Sequence, residues 1–139
     1  MKSLLGKLGV LFIGLLILGN AGVWGADWKS YDSNEKFSSY YDAQSITHPS
    51  KDIVRVWIRL VWTEKGVLSW VNGVGKEYGN LSHSMSLMEI NCAEKKCRRL
   101  LDSVYDNKGD VIISSHSPKE WAVIIPESVG DGLNKEACK

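Results

Sequence analysis

The chain has 139 residues, with 17 Lys and Arg against 16 Asp and Glu, and a formal net charge of +1. That length suits one domain with a modest core and is too short for two independent ones. The near balance of charge argues against a general nucleic-acid binder, which needs a surplus of Lys and Arg to displace counterions from phosphates.

In chain order, Lys2 and Lys7 flank the start of an apolar run from Leu8 to Leu18, and small residues follow as far as Gly25. This layout predicts a secretory signal peptide over residues 1–25, with an apolar run too short to span a bilayer. Cleavage after Gly25 places Val23 and Gly25 at the two small-residue positions and starts a single mature domain, residues 26–139, at Ala26. No cysteine stands near that point to carry a lipid anchor, and no membrane span is expected after cleavage. Losing Lys2, Lys7 and no acid leaves the mature chain close to neutral. Export to the periplasm, the cell surface or the medium puts the cysteines in an oxidising compartment.

The segments DWKSY and KFSSYYD, separated by polar DSNE, read as two strands or a strand and a lead-in, and Pro49 is expected to end that region. The strongest periodic signal is IVRVWIRLVW. There Val54, Val56, Ile58, Leu60 and Trp62 share one face of a strand, and Arg55, Trp57 and Arg59 lie on the other. From Thr63 to Asn80 the chain is rich in glycine, and a long loop or irregular hairpin is expected. Next, SHSMSLMEINC predicts a strand with Met88, Ile90 and Cys92 on one face. CRRLLDSVYD and DVIISSH flank NKG, a hairpin signal in which Gly109 is free to take positive φ.

A short apolar run, WAVII, leads to Pro126, after which Val129, Leu133 and Ala137 recur every four residues. That period predicts a short amphipathic helix, although Gly130 and Gly132 each cost about 1 kcal/mol against alanine in a helix interior. The expected fold is therefore α+β: an antiparallel meander sheet of about six strands with one C-terminal helix packed on one face.

Three cysteines leave one over. In the chain-entropy model a Cys92–Cys138 bridge, which closes a long loop, stabilises by about 4 kcal/mol, and a Cys92–Cys97 bridge by about 2 kcal/mol. Energy favours the long staple, which also pins the glycine-weakened helix to the sheet, with the short loop as the alternative. Cys97 is then a free thiol between Lys95, Lys96, Arg98 and Arg99. Such neighbours can activate a thiol, while the plainer reading is a small apolar residue at the start of a strand.

The succession YYDAQSI, VRVWIRLVW, EINCAEKKCRRL and YDNKGDVI, then Trp121 ahead of IIPES and a terminal AC, resembles the surface-adhesin protein E family of bacterial exported proteins. The resemblance runs from about Trp28 to Cys138. It implies an antiparallel sheet with a C-terminal helix tied to one face by a disulfide, at the positions of Cys92 and Cys138 here. It also implies an adhesin that binds host matrix or serum proteins and pairs as a homodimer. Two departures stand out: family adhesins can be lipoproteins, and Cys97 stands where an aromatic residue is expected.

Other motifs yield less. Gly73, Gly75 and Gly79 in NGVGKEYGN miss the dinucleotide-loop spacing, and a Walker loop would need glycine at Trp70 and Ser or Thr at Glu77. DNKGD lacks the distal glutamate of an EF-hand. His48, His83 and His116 show no metal-ligand spacing, no C-x-x-C-H haem motif occurs, and no nucleophile elbow frames a serine. The expectation is a non-enzymatic protein-binding module without cofactor or metal, with Arg55, Trp57 and Arg59 as the candidate surface because Trp and Arg are enriched at binding hot spots. The alternatives are a periplasmic carrier that encloses a small apolar ligand between helix and sheet, and an envelope-maintenance protein.

Overall fold

The computed structural model describes residues 26–139, so the expected signal peptide lies outside the described residues. One antiparallel sheet holds eight strands: β1 (Trp28–Ser33), β2 (Phe37–Asp42), β3 (Thr47–Ser50), β4 (Ile53–Trp62), β5 (Leu81–Asn91), β6 (Lys96–Asp106), β7 (Val111–Ser115) and β8 (Ala122–Val123). The main path runs β1-β2-β4-β5-β6-β7. The expectation of about six strands is corrected to eight because two places are each shared by a pair of short strands. β2 and β3 divide one edge of β4, and β7 and β8 divide one edge of β6. Pro49 does not end the N-terminal region but sits inside β3, at a position without a ladder partner, where its missing N–H costs little.

The alternation in β4 sets the layers. Val54, Val56 and Ile58 are buried, and Val56 meets Met88 and Val54 meets Ile90 across the ladder to β5. The helix α2 (Val129–Ala137) lies over these residues, with Leu133 and Ala137 joining the same core as Tyr41 and Ile124. Ser128 caps α2 by accepting from the Asp131 amide at 3.2 Å. Gly132 has a positive role: a Cβ there would stand 3.2 Å from the Tyr31 carbonyl oxygen, so glycine lets the helix settle close to β1.

The loop or irregular hairpin expected between Thr63 and Asn80 is instead a helix, α1 (Glu64–Gly73), followed by a 3-10 turn at Lys76–Tyr78. Thr63 caps it by accepting from the Gly66 amide at 3.1 Å, and Val67 and Trp70 turn onto the sheet. Gly66 is no sign of a loop, since any Cβ would collide with the Lys36 carbonyl oxygen. Tertiary packing overrides the glycine count. Phe37, Trp62, Trp70 and Tyr78 form a chain of aromatic contacts with successive ring centroids 5.2, 5.5 and 4.9 Å apart. The Trp62 indole donates to the Ser84 hydroxyl at 3.0 Å.

Both helices therefore cover the same face, α1 at the Trp62 end of β4 and α2 at the Val54 end. Cys92, at the end of β5, is bonded to Cys138 just after α2, with Cα atoms 5.8 Å apart. The β6–β7 turn is closed by the Asp106 carboxylate, which accepts from the Lys108 and Asp110 amides at 2.9 and 3.0 Å, and Gly109 takes φ +88°.

Candidate binding face

Arg55, Trp57 and Arg59 stand on the sheet face opposite the helices, where no helix among the described residues covers them. The ladder carries each one into a row across the strands. Trp57 aligns with Leu87 and Leu101, Arg59 with Tyr40, Met85 and Ser103, and Val61 with His83 and Tyr105. Trp57, Met85, Leu87 and Leu101 are all half-buried and join neither of the two buried cores. The sequence carries a sign of this apolar face: in SMSLMEI, Met85 and Leu87 fall on one side of β5 and Met88 and Ile90 on the other, so each side holds apolar residues.

The two arginines are not equivalent. Arg55 donates through Nε at 3.1 Å and Nη2 at 2.6 Å to one oxygen of Glu89, and Arg98 donates through Nε at 3.0 Å to the other. Glu89 is only 4% exposed. Burial pushes its carboxyl up, but the hydrogen bonds and charges of Arg55 and Arg98 outweigh that and hold it below the usual glutamate range. Arg98 also stacks over Trp121, its Cζ 4.6 Å from the ring centroid.

Arg59 has no such partner. It lines a cleft of about 240 Å³ with Trp28, Tyr40 and Val61. Its Nε is buried without a hydrogen-bond acceptor, and among the described residues it makes no ion pair. A buried donor left unmade costs about 1–3 kcal/mol. Nearby, the His83 ring stacks on Tyr105 with centroids 4.8 Å apart, and burial together with the Arg59 charge lowers the imidazole pKa. Glu89, Arg98, Trp121, Trp28 and Tyr40 reach this face through strand pairing, which the residue pattern of β4 alone does not reveal.

Residues 28–139 match the model of the family described as surface-adhesin protein E. The chain belongs to that family. Crystal form II of Haemophilus influenzae protein E is similar in fold, with a TM-score of 0.55 and 18% identity over 78% of this chain and 91% of that one. The selenomethionine form of the same protein gives 0.51 and 14% over 78% and 89%. Among curated proteins, none matches this chain.

The adhesin-E sheet also places the remaining sequence candidates. Cys97 is free and half-buried, packed on the α2 side of the sheet opposite Ile90. Burial pushes its thiol pKa up, with the Arg99 charge opposing. That burial favours the plainer reading of Cys97 as a small apolar residue at the start of a strand. Alternation along β6 sends Lys96 and Arg98 to the opposite face and leaves Arg99 on the side of the thiol.

Cys97 lines a cleft of about 280 Å³ between α2 and the sheet, with Leu60, Met88, Arg99 and Tyr31. Burial there pushes the Tyr31 phenol up to about 12. A larger cleft, about 530 Å³, runs beside α1 against Trp62, Val67, Leu68 and Leu81. Among the described residues no cluster of three or more His, Cys, Asp or Glu could hold a metal, and no helix is long and apolar enough to cross a membrane.

Proposed function

We propose that the chain is exported, loses residues 1–25 as a signal peptide, and works in the periplasm or at the cell surface as a non-enzymatic protein-binding module. Its partner, a matrix or envelope protein, docks on the sheet face that carries Arg55, Trp57 and Arg59. Membership in a surface-adhesin family supports export and binding. The observation that carries the reading is the uncovered row of Trp57, Leu87 and Leu101, flanked by the arginines. Apolar surface ringed by polar groups marks interaction sites, and aromatic and arginine side chains dominate binding energy.

A second copy is the poorer occupant of this face. At its centre three arginines, Arg55, Arg59 and Arg98, face one buried glutamate, so two copies set face to face would bring like charges together. A homodimer would form through another surface. The carrier reading is weaker as well. The cleft between α2 and the sheet, about 280 Å³, falls below the roughly 300–1,000 Å³ typical of ligand pockets, and the cleft beside α1, about 530 Å³, has the size but lies open to solvent rather than enclosing a ligand.

Solid-phase binding of the chain to purified matrix proteins and to envelope extract tests the proposal. Trp57→Ala is expected to weaken capture about tenfold or more, the scale of a hot-spot truncation. Leu68→Ala, on the exposed side of α1, is expected to leave it unchanged. Equal binding by wild type and Trp57→Ala would remove this face from consideration.

A further inference from the structure

We infer that the Arg59 cleft is the anchoring pocket for a carboxylate, and that the partner presents an acidic segment in which Asp or Glu alternates with apolar residues. The inference rests on the docking face proposed above and names the chemistry of its partner. Of the three arginines on that face, Arg55 and Arg98 are spent on Glu89. Of the three, Arg59 alone makes no ion pair among the described residues, and its buried Nε–H has no acceptor there. A guanidinium stays charged at any physiological pH, so proton loss cannot relieve this donor. An incoming carboxylate can neutralise the charge, since its oxygens match the guanidinium fork and form short charge-assisted hydrogen bonds with the N–H groups that the cleft leaves open.

The walls of the cleft decide which anion fits. Trp28, Tyr40 and Val61 surround Arg59, and Met85 and Ser103 continue the row across the sheet. A space of about 240 Å³ admits one short side chain. The surface beside it, from Met85 to the Trp57, Leu87 and Leu101 row, is apolar. A sulfated polysaccharide needs a dense track of cations, whereas among the described residues Arg59 is the one arginine of this face without an ion pair, and it is set among aromatic and aliphatic groups. An acidic peptide with alternating apolar side chains fits both features as a turn, which inserts a single acid and lets its apolar neighbour lie on the surface beside the cleft; a flat strand would send its acids and apolar side chains to opposite sides.

The test uses the full chain and three probes: acetyl-Leu-Glu-Phe-Glu-Leu-amide, its counterpart with Gln in place of Glu, and dextran sulfate, with binding followed by fluorescence anisotropy. The Glu peptide is expected to bind, and to weaken tenfold or more with the Gln counterpart, with Arg59→Gln and with rising salt. Arg59→Lys should retain part of the affinity. Circular dichroism melts confirm that each variant is folded, and Trp28→Ala, which opens one wall, should weaken binding by a smaller factor. Equal binding of the Glu and Gln peptides overturns the inference, as does indifference to Arg59→Gln. Arg59-dependent binding of dextran sulfate with no binding of the Glu peptide also overturns it and assigns the cleft to a polysaccharide. If Trp57→Ala abolishes capture of the protein partner and Arg59→Gln does not, the docking face stands and the carboxylate pocket falls; if neither matters, both fall.

Discussion

On the helix side of the sheet Val56 and Ile90 have no accessible surface, whereas Trp57, one step along from Val56, and Leu87, three steps from Ile90, are only half-buried. The two faces carry equally apolar residues in places, yet one is a core and the other an open surface. Alternation tells which residues share a face and does not tell which face is covered. Coverage is decided by α1 and α2, and α2 is held down by the covalent link from Cys92 to Cys138. The faces should therefore respond very differently to perturbation.

The largest difference should come from cutting that link. Cys138→Ser with Cys92→Ser frees α2, which has only nine residues and two glycines and depends on its contacts with the sheet. The chain-entropy model puts the loss near 4 kcal/mol, and urea unfolding should show it as a lower midpoint. The contrast sharpens if the reduced protein also exposes the Val56 and Ile90 side and begins to bind a hydrophobic dye. An unchanged midpoint would mean that packing alone retains the helix.

Next comes a truncation within the covered core. Ile90→Ala removes a side chain with no accessible surface that packs beneath α2, so it should cost about 2–5 kcal/mol. Thermal and urea unfolding of the variant measure it.

A smaller effect comes from the open face through Glu89. Its folded-state pKa is lowered by Arg55 and Arg98 against the opposing effect of burial. A depressed carboxyl contributes stability that is fully present above its unfolded pKa and is lost as pH falls through the folded value. Stability should thus hold from neutral pH down to the ordinary glutamate range and fall below it. Glu89→Gln should be less stable than wild type at neutral pH and approach it in acid. Parallel curves for the two proteins across that window would show that Glu89 contributes no such linkage.

The strands of this sheet were legible because β4 alternates so regularly and because Gly109 and the Asp106 carboxylate mark a tight turn. The helix α1 was not, since Gly66 and Gly73 lower local propensity and the reason for Gly66, close approach to the Lys36 carbonyl, is a tertiary fact. β3 escaped notice because a strand of four residues at a sheet edge leaves no periodic trace, and of the apolar run WAVII only Ala122 and Val123 pair, as β8. Arg55, Trp57 and Arg59 could be assigned to one face from spacing alone. Their inequivalence could not, because it depends on Glu89 lying opposite Arg55 across β5 and on Trp28 and Tyr40 arriving beside Arg59 from β1 and β2.

The smallest stability effect should belong to Leu87→Ala, and it bears most directly on the difference between the faces. Leu87 aligns with Trp57 and Leu101, but on that side it meets no helix. Truncation removes a few contacts with its neighbours in the row and leaves no closed cavity, so the loss should stay near or below about 1 kcal/mol. In the Ile90→Ala variant the surrounding atoms are fixed by α2 and the void persists; at Leu87 water simply fills the gap. A cost for Leu87→Ala as large as that for Ile90→Ala would mean that the outer face is packed like a core, and the binding surface proposed for it would have no room for a partner. A small cost, together with weaker capture of the protein partner, would mean that the half-buried Leu87 is left without a helix above it for the sake of contact with something outside the chain.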